Sequence, residues 1–175
     1  MDLFYEQLIK RQKSWREYLR IVLCILGGLI AIALLSLAVF VPAIGFIIFV
    51  VCCGIIYVLY LLITGTNMEY EYSFTNGEMD VDKIVNVRSR KRLATVNARE
   101  IDVMATKRNH RPEFERYMGA SEVKKIYACE NRDAEDVYFV VFHDGEVQKM
   151  LLFNPNEKIR TGFRRYNPQR VFLDD

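Results

Sequence analysis

The sequence predicts a membrane α-helical hairpin followed by a mainly β (α+β) cytoplasmic domain that ends in a helix. Residues 21–66 contain no Asp, Glu, Lys, Arg or His, whereas residues 67–175 carry 19 acidic and 19 basic side chains. The charged part contains short runs in which apolar and polar residues alternate, as in half-buried β-strands. Its last stretch changes to the period of an amphipathic helix. A chain of 175 residues has room for one ordinary domain and such an appendage.

The N-terminal segment, residues 1–20, is predicted to form a cytoplasmic amphipathic helix. Phe4, Leu8, Trp15 and Leu19 fall roughly on one helical face, and basic residues occupy much of the remainder. A helix of this kind can lie in the membrane interface. An ordinary helical extension of the following apolar segment fits the same pattern equally well.

The apolar region is too long for one membrane-spanning helix. A single helix over Ile21–Ile63 would extend for roughly 65 Å, about twice the hydrocarbon thickness of a bilayer. Pro42 divides it into Ile21–Val41 and Ala43–Ile63, which we predict to be two transmembrane helices. A cleaved signal peptide would have a shorter apolar core and a small-residue cleavage site. The small residues that could let the two helices pack closely are Gly27, Gly28, Ala31, Gly45 and Gly54.

The charges that flank the apolar region predict its orientation. Five Lys or Arg side chains precede the first helix, and the connection near Phe40–Gly45 has no basic residue. A second basic segment, Arg88–Arg92, follows the second helix. Because basic flanks are retained in the cytoplasm, we expect a multi-pass protein of the cell membrane with both termini cytoplasmic.

The stretch YEYSFTNGEMDVDKI, residues 70–84, has the pattern of a β-hairpin. Its first strand is predicted over Glu69–Thr75 and its second over Glu78–Val87. Asn76-Gly77 supplies the positive φ angles that a two-residue type I′ turn requires. Three aromatic side chains share one face of the first strand, namely Tyr70, Tyr72 and Phe74.

Five further strands and two helices are predicted after this hairpin. The strands are Lys91–Val96, Glu100–Ala105, Glu122–Cys129, Val137–His143 and Glu146–Phe153. The segment Lys107–Ala120 should be a loop with a short helix that begins near Pro112. The closing segment, NPNEKIRTGFRRYNP, should be helical, with Asn154 as the cap and Pro155 at the first position. Ile159 and Phe163 would share its apolar face.

Seven strands and a terminal amphipathic helix resemble the pleckstrin-homology (PH) superfold, in which the last helix plugs one end of two nearly orthogonal sheets. The chain also resembles an uncharacterised family of small membrane proteins from Gram-positive bacteria. The stretches that carry this resemblance are EQLIKR (6–11), YEYSFTNGEMDVDKI (70–84), RKRL (90–93) and FNPNEKI (153–159). The resemblance implies a PH-like domain after a membrane hairpin, and it implies no functional residue. An OB-like or other small β-barrel is the alternative architecture.

Catalytic, cofactor and metal sites are not predicted. Cys24, Cys52 and Cys53 lie in the apolar region and Cys129 stands alone, so no Cys-x-x-Cys pair exists. The two histidines, His110 and His143, lack metal-motif spacing. Asp80 and Asp82 share one face of a strand beside a turn, where a solvated surface explains them more simply than a metal. Without a phosphate-binding glycine loop or a nucleophile motif, we expect a protein that is not an enzyme.

The basic segment RSRKR suggests contact with a membrane surface. The first strand of the hairpin would extend about 23 Å away from the bilayer, and the second would bring the chain back. Four side chains are then predicted to meet anionic lipid headgroups, namely Arg88, Arg90, Lys91 and Arg92. Each can contribute roughly 1 kcal/mol near the surface, less when salt screens it. A solvated basic turn is the alternative.

Two classes of function fit these features. The favoured one is a membrane-anchored interaction module that binds a protein, as yet unknown, or the anionic membrane surface. The alternative is an accessory subunit of a membrane transporter or envelope-assembly complex, which would act through its transmembrane helices. The charge of residues 67–175 is balanced, which argues against a nucleic-acid partner.

Overall fold

The computed structural model describes residues 4–13, 15–36, 45–65, 67–86 and 89–173. The chain forms two compact units. The β unit combines Met1–Gln12 with Met68–Asp175, and the helical unit covers Lys13–Asn67. The sequence-based division instead separated residues 1–20 from a domain over residues 67–175. The β unit is therefore discontinuous in sequence.

The helical unit contains α1, Trp15–Ser36, and α2, Gly45–Thr64. At 1.5 Å per residue these helices extend for about 33 Å and about 30 Å, close to the hydrocarbon thickness of a bilayer. Only Gly28 in α1 and Ile48 in α2 are buried. Both helices are thus long and apolar enough to cross a membrane, and their apolar side chains lie on the surface of the unit. The predicted division at Pro42 falls outside the described residues.

One glycine mediates a close approach of the two helices. A Cβ placed on Gly28 would lie 2.5 Å from Leu59 Cδ1 and 3.6 Å from Ile55 Cγ2. Equivalent positions at Gly27 and Gly54 face open space. Of these three predicted small residues, Gly28 alone allows a neighbouring side chain to approach.

The β unit contains two four-stranded sheets and two helices. Its elements are β1 Phe4–Lys10, β2 Met68–Thr75, β3 Glu78–Val85, β4 Ser89–Asn97, β5 Ile101–Thr106, α3 Arg111–Gly119, β6 Lys124–Ala128, β7 Tyr138–Asp144, β8 Val147–Phe153 and α4 Glu157–Tyr166. One sheet has the order β1-β2-β3-β4, and the other has the order β5-β7-β8-β6. Strands β6 and β8 are parallel, whereas the other pairs are antiparallel.

The helix predicted for the N-terminal segment is wrong for Phe4–Lys10, which is strand β1. This strand pairs antiparallel with β2, from Phe4 opposite Thr75 to Lys10 opposite Glu69. Leu8 points outward with 58% exposure while Ile9 is buried, as strand alternation requires. Residues four apart share a face in a strand as well as in a helix, so Phe4 and Leu8 fit both. Phe4–Lys10 forms a strand rather than a helix because β2 is available as a pairing partner.

A hydrogen-bond network joins β1 to the segment before α4. The Gln7 side chain donates to the Asn154 carbonyl at 2.9 Å and accepts from the Asn156 backbone N–H at 2.7 Å. Asn156 is the N-cap of α4, because its side chain accepts from the Ile159 N–H at 3.0 Å. The cap therefore lies two residues after the predicted one. Asn154 instead accepts from the Glu130 N–H through its side chain at 3.0 Å.

The main core lies between the two sheets and α4. Four of its aromatic side chains are fully buried, namely Tyr72, Phe74, Phe153 and Phe163. The rings of Phe74 and Phe163 are 5.2 Å apart between centroids, so α4 contacts the first sheet directly. The Tyr72 hydroxyl donates to the Ala128 carbonyl and accepts from the Asn154 N–H at 3.2 Å. A second core lies between the other face of sheet β5-β7-β8-β6 and α3.

The turn between β2 and β3 has positive φ angles at both central residues, 51° at Asn76 and 96° at Gly77. A Cβ on Gly77 would lie 3.1 Å from carbon atoms of the Tyr166 ring. Gly145, between β7 and β8, also has a positive φ, 61°, but a Cβ there would meet nothing within 4 Å. A substitution at Gly145 would therefore cause backbone strain alone, whereas a substitution at Gly77 would cause backbone strain and a close contact with Tyr166.

Replacement of Gly77 by alanine should destabilise the β unit more than replacement of Gly145. Both variants bear the left-handed strain of about 1–2 kcal/mol, and Gly77→Ala must also displace the Tyr166 ring. Denaturant unfolding of the full chain in detergent measures the difference. Equal losses in the two variants would contradict the packing of Tyr166 on this turn.

Candidate functional site

The basic segment predicted to meet lipid headgroups is divided between the two faces of β4. Alternation along the strand places Arg90 and Arg92 on one face and Lys91 on the other. Arg90 pairs with Glu71, and its Nε atom is 3.8 Å from Asp82. Arg92 pairs with both Asp80 and Asp82. Arg88 lies outside the described residues.

These ion pairs compensate two buried carboxylates of the first sheet. Glu71 and Asp82 are directly opposite in the register of β2 and β3, and both are buried. Two opposed carboxylates repel each other unless cations compensate them, and Arg90 and Arg92 provide that compensation. The hydrogen bond to Asp82 raises the pKa of the Arg92 guanidinium. Asp82 therefore belongs to a charge network, and no cluster of three metal-ligating side chains occurs among the described residues.

The opposite, inward face of the same sheet carries lysines where its core would otherwise continue. Met79 and Val81 of β3 are fully buried, and Lys83 is the next residue in that phase. Lys91 of β4 is directly opposite Lys83 in the register. Two adjacent cations thus follow the fully buried part of this side of the sheet, before Val85 at the end of β3.

In the second sheet, too, lysines follow buried apolar residues along the inward face. Leu151 of β8 is fully buried, and Lys149 precedes it in phase. Lys124 lies opposite Lys149 in the parallel register of β6 and β8, in phase with the half-buried Ile126. Each sheet therefore presents one lysine pair on its inward face, next to the fully buried residues.

The four lysines line one cleft of about 530 Å³, which we call the lysine cleft. Four further cations complete its lining, namely Arg11, Arg132 and, from the other phase of β4 and β6, Arg92 and Lys125. None of the described residues that line it is acidic. Tyr70, Leu93, Ile126 and Tyr127 add aromatic and aliphatic surface. The cleft is thus a concave, strongly positive site with a partly apolar wall.

Several cations of the cleft are held by neighbouring groups. Lys149 pairs with Asp144, and Lys125 donates to the Ala120 carbonyl. The Arg132 guanidinium lies 4.1 Å from the centroid of the Tyr127 ring. The other three lysines form no ion pair within the described part of the chain, namely Lys83, Lys91 and Lys124. Their charge is available to a ligand.

The nucleophilic and acid–base candidates of the sequence lie away from this lining. Cys129 is buried, and burial raises the pKa of its thiol, which keeps it protonated and a poor metal ligand or nucleophile. His143 Nδ1 is 3.4 Å from Asp102 Oδ2 on the exposed surface. The His110 ring packs against Phe172 with 4.6 Å between centroids. None of these residues lines the lysine cleft.

Two sheets and a C-terminal helix define a PH-like domain, here in a chain with two apolar helices that could span a membrane. A family model described as a bacterial PH-like domain (DUF6106) matches residues 1–173, and the chain belongs to this family. The predicted family and PH-like fold are therefore confirmed. PH-like domains are generally non-enzymatic. Comparison with curated proteins and with solved structures found no match.

Sequence reasoning did not find the lysine cleft. Lys124 and Lys149 belong to strands that are distant in sequence from β3 and β4, and only the packing of the two sheets brings the four lysines together. A usable signal did exist, since each lysine occupies the inward phase of an alternating strand. In the sequence, however, a single lysine in this phase looks the same as a lysine at the frayed end of a strand.

Arginine and lysine substitutions on β4 should have opposite consequences for stability. Arg92→Ala leaves Asp80 without its cation and weakens the compensation of Asp82, which should cost about 1–3 kcal/mol. Lys91→Ala should cost nothing or slightly stabilise the fold, because it removes a charge opposite Lys83. Unfolding of both variants of the full chain in detergent tests this contrast. A similar loss from both would show that the two faces of β4 are wrongly assigned.

Proposed function

We propose that this protein is a multi-pass, membrane-anchored interaction module that holds its PH-like domain at the cytoplasmic face of the cell membrane. The observation that carries the proposal is the pairing of β1 with β2. These strands precede and follow the two apolar helices in the chain, and they are paired over seven residues. Strands that pair must lie on the same side of a membrane. Two helices that cross between them must therefore form a hairpin.

The distribution of charge supports the cytoplasmic side. Five Lys or Arg side chains lie in residues 1–20, and no charged residue occurs in residues 21–66. The positive-inside rule retains the basic N-terminal flank in the cytoplasm. Because β2 pairs with β1, the rest of the β unit shares that location.

The module acts by binding rather than by catalysis. Its lysine cleft is concave and positive, and the described residues that line it include no carboxylate, thiol or histidine. The proposed partner is the anionic surface of the membrane or an acidic part of a protein. Of the four residues predicted to contact headgroups, Lys91 supports this role best, since Arg90 and Arg92 already have carboxylate partners.

Topology provides the first test. Reporter fusions at the N-terminus and at the C-terminus should both give cytoplasmic signals, and the protein should stay in the membrane after alkaline carbonate extraction. A fusion in the connection near Phe40–Gly45 should report the opposite side and serves as the matched control. An extracytoplasmic signal from either terminus would reject the proposed anchoring.

An exchange of the helices separates the interaction module from an accessory subunit. Replacement of Ile21–Ile63 by an unrelated two-helix hairpin keeps β1 joined to the rest of its sheet, which a truncated domain over residues 67–175 would not. Isolation of the tagged chain after mild detergent extraction should recover the same partners with either hairpin. Partners that are lost with the foreign hairpin would instead support the accessory subunit that acts through its helices.

A further inference from the structure

We propose that the lysine cleft binds an anion that carries two or more phosphate groups. The inference deepens the proposed function by naming the ligand chemistry, and it rests on that function only in treating the β unit as a binding module. The site consists of the four lysines together with the aromatic and aliphatic wall of the cleft. Neither the sequence motifs nor the family assigns a ligand to it.

The positions of the lysines argue for a ligand. An inward position next to a buried core normally carries an apolar side chain, which stabilises the fold by burial. Lys83 and Lys91 occupy such positions in one sheet, and Lys124 and Lys149 occupy them in the other. A single lysine on a solvated face would need no explanation, but here four lysines from two different sheets converge on one cleft, and Lys91 and Lys124 are exposed to solvent and to a ligand.

The pairing of the lysines adds a second argument. Lys83 is directly opposite Lys91, and Lys124 is directly opposite Lys149, so like charges face each other in both pairs, and Asp144 compensates Lys149 in the second. The same chain compensates its opposed carboxylates, Glu71 and Asp82, with arginines on the outer face. For the inward lysines, Asp144 is the one carboxylate partner in the described part of the chain, and it pairs with Lys149. An anion supplied from outside would provide the missing compensation.

The division of the charges into two pairs favours more than one phosphate. The lysine pairs belong to different sheets, so one phosphate group bound by one pair would leave either Lys83 and Lys91 or Lys124 without an anion from outside. A molecule with two or more phosphates could engage both pairs through charge-assisted hydrogen bonds. The cleft volume of about 530 Å³ is that of a typical small-molecule site. Tyr127 and Leu93, both half-buried, offer surface to an organic part between or beside the phosphates.

Binding of soluble phosphates to the full chain in detergent tests the chemistry. At matched ionic strength, inorganic triphosphate should bind saturably and raise the midpoint of thermal unfolding, whereas orthophosphate and sulfate should do so far less. The variant with Lys83→Gln and Lys124→Gln should lose at least about tenfold in affinity for triphosphate, because it removes one cation from each pair. Without ligand, this variant should unfold at a higher temperature than the native chain, which a merely structural role of the lysines would not produce.

The matched control carries Lys158→Gln and Arg164→Gln, two exposed cations of α4 outside the lysine cleft. It has the same change in charge and should bind triphosphate as the native chain does. Equal affinity of triphosphate and sulfate, or equal loss of affinity in the cleft variant and the control, would overturn the proposal. Since the measurement is made in detergent, this result is independent of membrane topology, and either proposal can fail alone.

Nanodiscs identify the source of the phosphates. Cardiolipin carries two phosphates, whereas phosphatidylglycerol carries one, and discs of equal total charge can be prepared from either. Weaker triphosphate binding in the cardiolipin discs would assign the cleft to a lipid headgroup. Equal binding in both discs would assign it to a soluble multiply phosphorylated molecule.

Discussion

The pairing of β1 with β2 is the interaction on which the rest of the structure depends. It joins residues separated by the whole helical segment and makes the β unit discontinuous in sequence. Closure of so long a loop has a substantial entropic cost, which the pairing must offset together with the contacts of β1 elsewhere. Gln7 contributes by bonding to the backbone before α4, and Ile9 contributes by burial in the main core. Strand β1 is thus an integral part of the β unit.

Strand alternation then separates the charges of the first sheet. Its outer face collects Glu71 and Asp82 with the arginines that neutralise them, while its inward face carries apolar side chains that give way to Lys83 and Lys91. A basic stretch that reads as one patch in the sequence therefore contributes to two environments. One environment stabilises the fold, and the other is available for binding.

The two cores hold this arrangement in place. Tyr72 links the first sheet to β6 through its hydroxyl, which donates to Ala128, and to the chain before α4 through Asn154. Phe163 of α4 packs against Phe74 and Phe153, so the helix closes one end of the space between the sheets. The lysine cleft occupies another part of that space, where β3, β4, β6 and β8 approach without an apolar filling.

The sequence by itself determined the features that depend on neighbours in the chain. The absence of charge in residues 21–66 specified two apolar helices, and period-two alternation specified β2 to β8 to within a few residues. Asn76-Gly77 specified the turn because its backbone conformation is local. Tertiary structure alone decided that Phe4–Lys10 is a strand, that Asn156 rather than Asn154 caps α4, and that four lysines share a cleft. Each of these depends on a partner distant in the chain: β2 for the strand, Gln7 and Glu130 for the two asparagines, and the opposing sheet for the lysines. The period of a local sequence pattern indicates whether a segment forms a strand or a helix. It does not indicate which distant part of the chain will pack against that segment.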